Sequence, residues 1–208
     1  MSDDDPVDPH TFYTRKIPTD FNRMLDEQAA RGEEGRRVFE DMTAVNGTIR
    51  VDIPGDDAVT FFLNIAAGRM TPANEPSHAP FLTLIQDMGA FRRLARKAGD
   101  SPTALLGALA GLAGDMKLTR KRMLDMEAVN GLIRFEVTGE HGFSILTHFG
   151  AGPLPAEPDA SIRVGEETYR ELHAGRLDPQ SAFLNDTIHA EGDMQKVMQL
   201  AFAAVAPD

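Results

Sequence analysis

A chain of 208 residues, 42% of them hydrophobic, has apolar material for one large domain or two small ones with real cores. Its net charge of -11 opposes binding to nucleic acid and to anionic membrane surfaces, and the absence of cysteine excludes a disulfide framework and thiolate metal sites. The start, MSDDDPVDPH, has neither a positive nor an apolar stretch, and no run approaches about 18 apolar residues, so neither a signal peptide nor stable membrane insertion is expected and the cytoplasm is the default.

Residues 1–18 read as an acidic, mobile leader. Pro18 and Asp20 then start a helix with Phe21, Met24, Leu25 and Gln28 on one side. Gly32 to Gly35 breaks it, and a second helix places Val38, Phe39, Met42 and Val45 at helical spacing. DMTAVNGTIR (Asp41 to Arg50) leads into a strand with Ile49, Val51 and Ile53 inward, the turn at Pro54 to Asp57 and a returning strand, VTFFLNI. The same frame recurs as DMEAVNGLIR (Asp125 to Arg134), with Ile133, Phe135 and Val137 inward, then TGEH and FSILTHF. The ungapped match predicts an internal duplication of two lobes, 19–123 and 124–208, packed about an approximate two-fold axis. Phe61 beside Phe62 and Ile145 beside Leu146 predict cover on both faces of the returning strands.

Arg69 to Pro80 and Pro153 to Pro158 read as extended surface connectors, and the run Arg92 to Lys97 as a solvated helix face. GDSPTALLGALAGLAGDM (Gly99 to Met116) reads as helix, with Leu112 to Met126 shared between the two copies. In the second half the pattern predicts a strand at Ala160 to Val164, a helix through Tyr169 and Leu172 ending near Gly175, and a short helix opened by Asp178 and Pro179. A strand at Ile188 and a final helix follow, the latter with Met194, Val197, Met198, Ala201, Phe202 and Val205 as an apolar stripe.

The run from Ala160 to Val205, taken after a hairpin, resembles the sterol carrier protein (type two) lipid-binding domain family. The resemblance lies in the order and spacing of Gly175, the DPQSAF string of Asp178 to Phe183, Ile188 and Gly192-Asp193-Met194. Asn185-Asp186 departs from the Gly-Lys that often follows SAF, and the N-terminal copy, with Thr103 in place of Gln, reads as a degenerate duplicate. The resemblance implies an α/β (α+β) fold, a mixed sheet with helices on one face duplicated into two packed lobes, and an apolar tunnel between the layers. It implies non-enzymatic binding or transfer of a sterol, fatty acyl chain or similar lipid-like small molecule without a cofactor. Gln180 and Phe183 would lie at the tunnel, with Met194, Val197, Met198 and Ala201 as lid or wall and Phe135, Ile145 and His148 on the sheet.

Two other readings stand beside it. A cofactor-free cyclase or isomerase would need a pKa-shifted polar group in the tunnel, for which His148, opposite Asn64 of the first copy, is the candidate. A pocketless interaction scaffold would have its tunnels filled by Phe61, Phe62, Phe81, Phe91 and Phe183. The six histidines have no metal-ligand spacing, and Gly150-Ala151-Gly152 is followed by Pro153 where a dinucleotide fingerprint needs a helix. No oligomeric state follows from the pattern.

Overall fold

The computed structural model describes residues 8–97, 117–174, 176–177 and 179–205. The expected helix over Gly99 to Met116, and the Gly175 and Asp178 signals, lie outside the described residues. Helix α1 (Pro9–Thr11) opens on Asp8, whose carboxylate accepts the Thr11 N–H at 2.8 Å, with proline in the first turn. It continues through a π-helical turn (Phe12–Lys16) into α2 (Ile17–Ala30). The second part of the expected leader is therefore ordered helix, with Phe12, Tyr13, Ile17 and Pro18 buried. Its apolar residues are few and follow an acidic start, but the wide π turn brings two consecutive aromatics inward together.

Gly32, at φ 60°, breaks the chain before α3 (Glu33–Thr43). A Cβ on Gly35 would stand 2.2 Å from the Gln28 carbonyl oxygen, so only glycine lets α3 pack this closely on α2. Strands β1 (Gly47–Ile53) and β2 (Val59–Ala66) form the first hairpin. The stretch read as a connector contains β3 (Arg69–Ala73), and β4 (Pro80–Ile85) follows it. Their prolines misled the pattern: Pro72 is tolerated because β3 is an edge strand, and Pro80 because it is the first residue of β4. Helix α4 (Met88–Lys97) buries Ala90, Phe91, Leu94 and Ala95, while Arg92 and Arg96 of the basic run are exposed and Arg93 half-buried.

Thr119 caps α5 (Arg120–Val129) through its side chain, and Asn130 ends the helix in the left-handed conformation at φ 42°. The second hairpin is β5 (Gly131–Thr138) and β6 (Phe143–Phe149); then come β7 (Ala160–Gly165), α6 (Glu166–His173), α7 (Pro179–Leu184), β8 (Ile188–Gly192) and α8 (Met194–Val205). Asp193 caps α8, its carboxylate accepting from the Gln195 and Lys196 N–H groups at 3.0 and 3.2 Å.

The eight strands of the described residues form one mixed sheet in the order β3-β2-β1-β4-β6-β5-β7-β8. Gly47↔Ile65 through Ile53↔Val59 in the first hairpin corresponds to Gly131↔Phe149 through Val137↔Phe143 in the second, every partner 84 positions on. Parallel pairing also recurs: Val51↔Leu84 on one side, Phe135↔Ile162 on the other. A two-fold axis would set like strands together at the junction. Instead β4 joins β6, from Leu82↔Phe149 to Ile85↔Leu146, so the triplets β2-β1-β4 and β6-β5-β7 follow head to tail. The expected approximate two-fold arrangement of two packed lobes is thus not observed; the triplets join head to tail in one continuous sheet.

Alternation along the strands divides that sheet into two unlike faces. One carries Ile49, Val51, Leu63, Leu84, Ile133, Phe135, Ile145 and Phe149, all buried in a single core with Phe21 and Leu25 of α2, Phe91 and Leu94 of α4, Met126 of α5 and Val197 of α8. The other carries Arg50, Asp52, Thr60, Arg134, Glu136 and Arg163, which are half-buried or exposed. Phe62 and Leu146 on this second face are half-buried, and Phe62 has the Arg50 guanidinium 6.0 Å from its ring centre rather than a helix above it. No helix covers Phe62 and Leu146 among the described residues, but the same face is buried at Thr48, Thr83, Leu132 and His148, so the expected second cover of the returning strands is partial.

Candidate functional site

The inward face of β5 to β8 faces α4 and α6 across an apolar slot. Phe135 and Val137 of β5 stand beside their register partners Ile145 and Phe143 of β6, and Ile162 and Val164 of β7 and Ile188 of β8 extend the floor. Leu94 of α4 and Tyr169 of α6 form the roof, and Glu136 touches the edge. The Tyr169 ring meets Phe143 edge-on at 5.6 Å, and burial pushes its hydroxyl up to about 12. The slot has a volume of about 40 Å³, room for a few water-sized groups. An acyl chain or sterol therefore enters only if the roof moves or side chains repack.

The expected site residues divide sharply. Phe135 and Ile145 lie together in the slot. His148 does not: it is three residues beyond Ile145, an odd number of steps along a strand, and so projects from the opposite face. It is buried there, and desolvation first of all holds its pKa below the ordinary imidazole value, with Asp159 opposing and Lys196 reinforcing the shift. Those two form an ion pair at 2.8 Å, and the Asp159 carboxylate also accepts the Leu132 N–H at 2.7 Å. Asn64, the counterpart of His148, clamps a loop: its side-chain oxygen accepts from the Thr48 hydroxyl and the Ser77 N–H, and its amide donates to the Glu75 carbonyl.

On α8 the apolar stripe is turned away from the slot. Val197, Leu200 and Ala203 are buried in the core, whereas Met194 is 40% and Met198 42% exposed, Phe202 63% exposed, and Ala201 exposed with them. Nearly every α8 residue from Val197 on is apolar, so periodicity alone does not choose the inward side; docking against α5 and the strands β7 and β8 does. Phe183 lies half-buried in α7, outside the slot lining, and the Gln180 side chain lies outside the described part of the structure.

Sequence reasoning missed Leu94, Glu136, Val137, Phe143, Ile162, Val164, Tyr169 and Ile188 as slot residues. The period of two that marked Phe135 and Ile145 also marks Phe143, Ile162 and Val164, and Leu94 follows Phe91 by one helical turn. Among the described residues, no three His, Asp or Glu side chains gather as a metal would need, and no helix is long and apolar enough to cross a membrane.

The profile of the SCP-2 sterol transfer family matches residues 119–204. Similar solved structures include Sterol Carrier Protein 2 Like 2 of Aedes aegypti, 20% identical over 55% of this chain and 94% of that one, with a TM-score of 0.33. Apo Sterol Carrier Protein 2 of Yarrowia lipolytica is 13% identical over 38% of this chain and 76% of its own, with a TM-score of 0.30. The sterol carrier protein domain 2 of Helicoverpa armigera is 25% identical over 40% and 76% of the two chains, with a TM-score of 0.28. No curated protein matches the sequence.

Proposed function

We propose that this protein binds a lipid-like apolar small molecule, a fatty acyl chain or a sterol, in the slot between β5 to β8 and the helices α4 and α6. The observation that supports this most directly is an apolar slot, floored by Phe135, Val137, Phe143, Ile145, Ile162 and Val164, inside the segment matching a sterol transfer family. Burial of each guest CH₂ contributes roughly 0.8 kcal/mol, so an acyl chain needs little beyond dry walls and one group to orient its head. Tyr169, whose hydroxyl burial keeps protonated, and Glu136 are the lining residues that carry polar groups. The two halves, on this reading, are copies of one sterol-carrier-like unit, as the constant spacing of their hairpin registers suggests.

His148 faces away from the slot, which removes the general base that the cyclase reading needed. The test is titration of a fluorescent fatty acid with the purified full chain, backed by native mass spectrometry. One equivalent should bind, and Phe135→Arg, which puts an unpaired charge into the apolar floor, should abolish it. A folded Phe135→Arg protein that still binds the probe with unchanged affinity would refute the site.

A further inference from the structure

The same slot geometry recurs in the N-terminal half, but there it is full. With the offset of 84 residues between hairpins, Phe135, Val137, Phe143 and Ile145 correspond to Val51, Ile53, Val59 and Phe61. The parallel strands add Leu84 for Ile162, and one step of two beyond it Gln86 for Val164. Tyr13 lies against this surface with no exposure at all, its ring 5.2 Å from Phe61 and 5.8 Å from Phe91, and Phe12 closes on Phe91 at 5.4 Å. The Gln86 amide donates to the Tyr13 hydroxyl, and Gln86 Oε1, deeply buried, has no hydrogen-bond partner among the described residues.

Gln86 is thus a polar group at the floor of an apolar slot, meeting an aromatic ring capped by a hydroxyl. That is how such a slot would receive an amphipathic guest. The π-helical turn that swings Phe12 and Tyr13 inward together is a rare form, frequent at functional positions. In the second half the corresponding slot keeps its open volume.

We infer that the N-terminal half contains a second apolar-ligand slot, occupied by the chain's own Tyr13 and Phe12 as a built-in guest, so that binding is confined to the C-terminal half. This rests on the lipid-binding reading above only for the chemistry of the guest. Tyr13→Ala should vacate the slot and leave the Gln86 amide facing it, ready for the head of a medium-chain fatty acid.

The experiment counts bound decanoic acid by native mass spectrometry and calorimetry in the full-length protein, with Met42→Ala as a buried truncation outside the slot. The unaltered protein and Met42→Ala should each bind one equivalent, and Tyr13→Ala two. Should Tyr13→Ala not fold, Tyr13→Val, which keeps part of the side chain, is read in the same way. If the unaltered protein binds none while Tyr13→Ala binds one, the built-in guest stands and the C-terminal site falls. A folded Tyr13 variant that takes up no more decanoic acid than the unaltered protein overturns the inference, and so does an equal gain in Met42→Ala.

Discussion

Phe135 separates a binding slot from an ordinary core most cleanly. Its ring is 7% exposed and stands in the floor beside Ile145, next to a volume of about 40 Å³ that the surrounding side chains leave open. Phe135→Ala removes that ring from a wall that cannot fully collapse, because the sheet on one side is held by two ladders, to β6 and to β7. Such truncations cost about 3–5 kcal/mol. For a chain of this size that lowers Tm by roughly 6–20 °C. The enlarged slot should admit a fatty acid more readily. At a free concentration of about 100 times Kd the ligand returns about 2.7 kcal/mol of stability. Differential scanning calorimetry with and without lauric acid therefore should show a large loss that the ligand restores in good part, together with tighter binding of the acid. A full loss that lauric acid leaves untouched, with unchanged affinity, would mean that Phe135 is packed core and the slot is not a site.

On α8, Met198→Ala should shift stability by no more than about 1 kcal/mol because Met198 is 42% exposed, whereas Leu200→Ala, at 1% exposed, should cost about 2–5 kcal/mol in urea titrations. The reverse order would mean that the helix presents its other side to the core. Asp159 is held below the ordinary carboxylate value by its hydrogen bond to Lys196 first and then by the Leu132 N–H, so its contribution is present above the unfolded value near 3.8 and is lost as pH falls through the folded one. Asp159→Asn should accordingly reduce stability at pH 7 and flatten the acid limb of a stability-pH curve below about pH 4. His148, its pKa lowered by burial, binds fewer protons folded than unfolded, so stability should decline as pH drops below 6.5. His148→Asn, the residue its counterpart position already carries, should abolish that slope; an unchanged slope would assign it to other groups.

Local patterns made much of this protein legible without coordinates. Ile49-Val51-Ile53 and Ile133-Phe135-Val137 alternate with polar residues, and the turns between the strands contain Gly55 and Gly139 near the middle, so both hairpins and their inward faces follow from short-range chemistry. The opposite orientation of His148 was legible too, from its odd distance to Ile145.

What needed the tertiary structure was every choice between locally equivalent options. Helix α8 is apolar nearly all round, so which side lies inward depends on the surface it docks against, and that surface turned Met198 out and Leu200 in. The junction of β4 with β6 unites residues more than 60 positions apart, and strand partners at that distance are selected by the whole sheet rather than by any local signal. Tyr13, in a segment whose composition suggested solvent, is buried because a distant face offers Phe61, Phe91 and Gln86 to its ring and hydroxyl. Sequence alone determined the two hairpins and what each of their faces is made of, but not β3 and β4. Long-range packing decided which faces meet, and with them where the slot lies open.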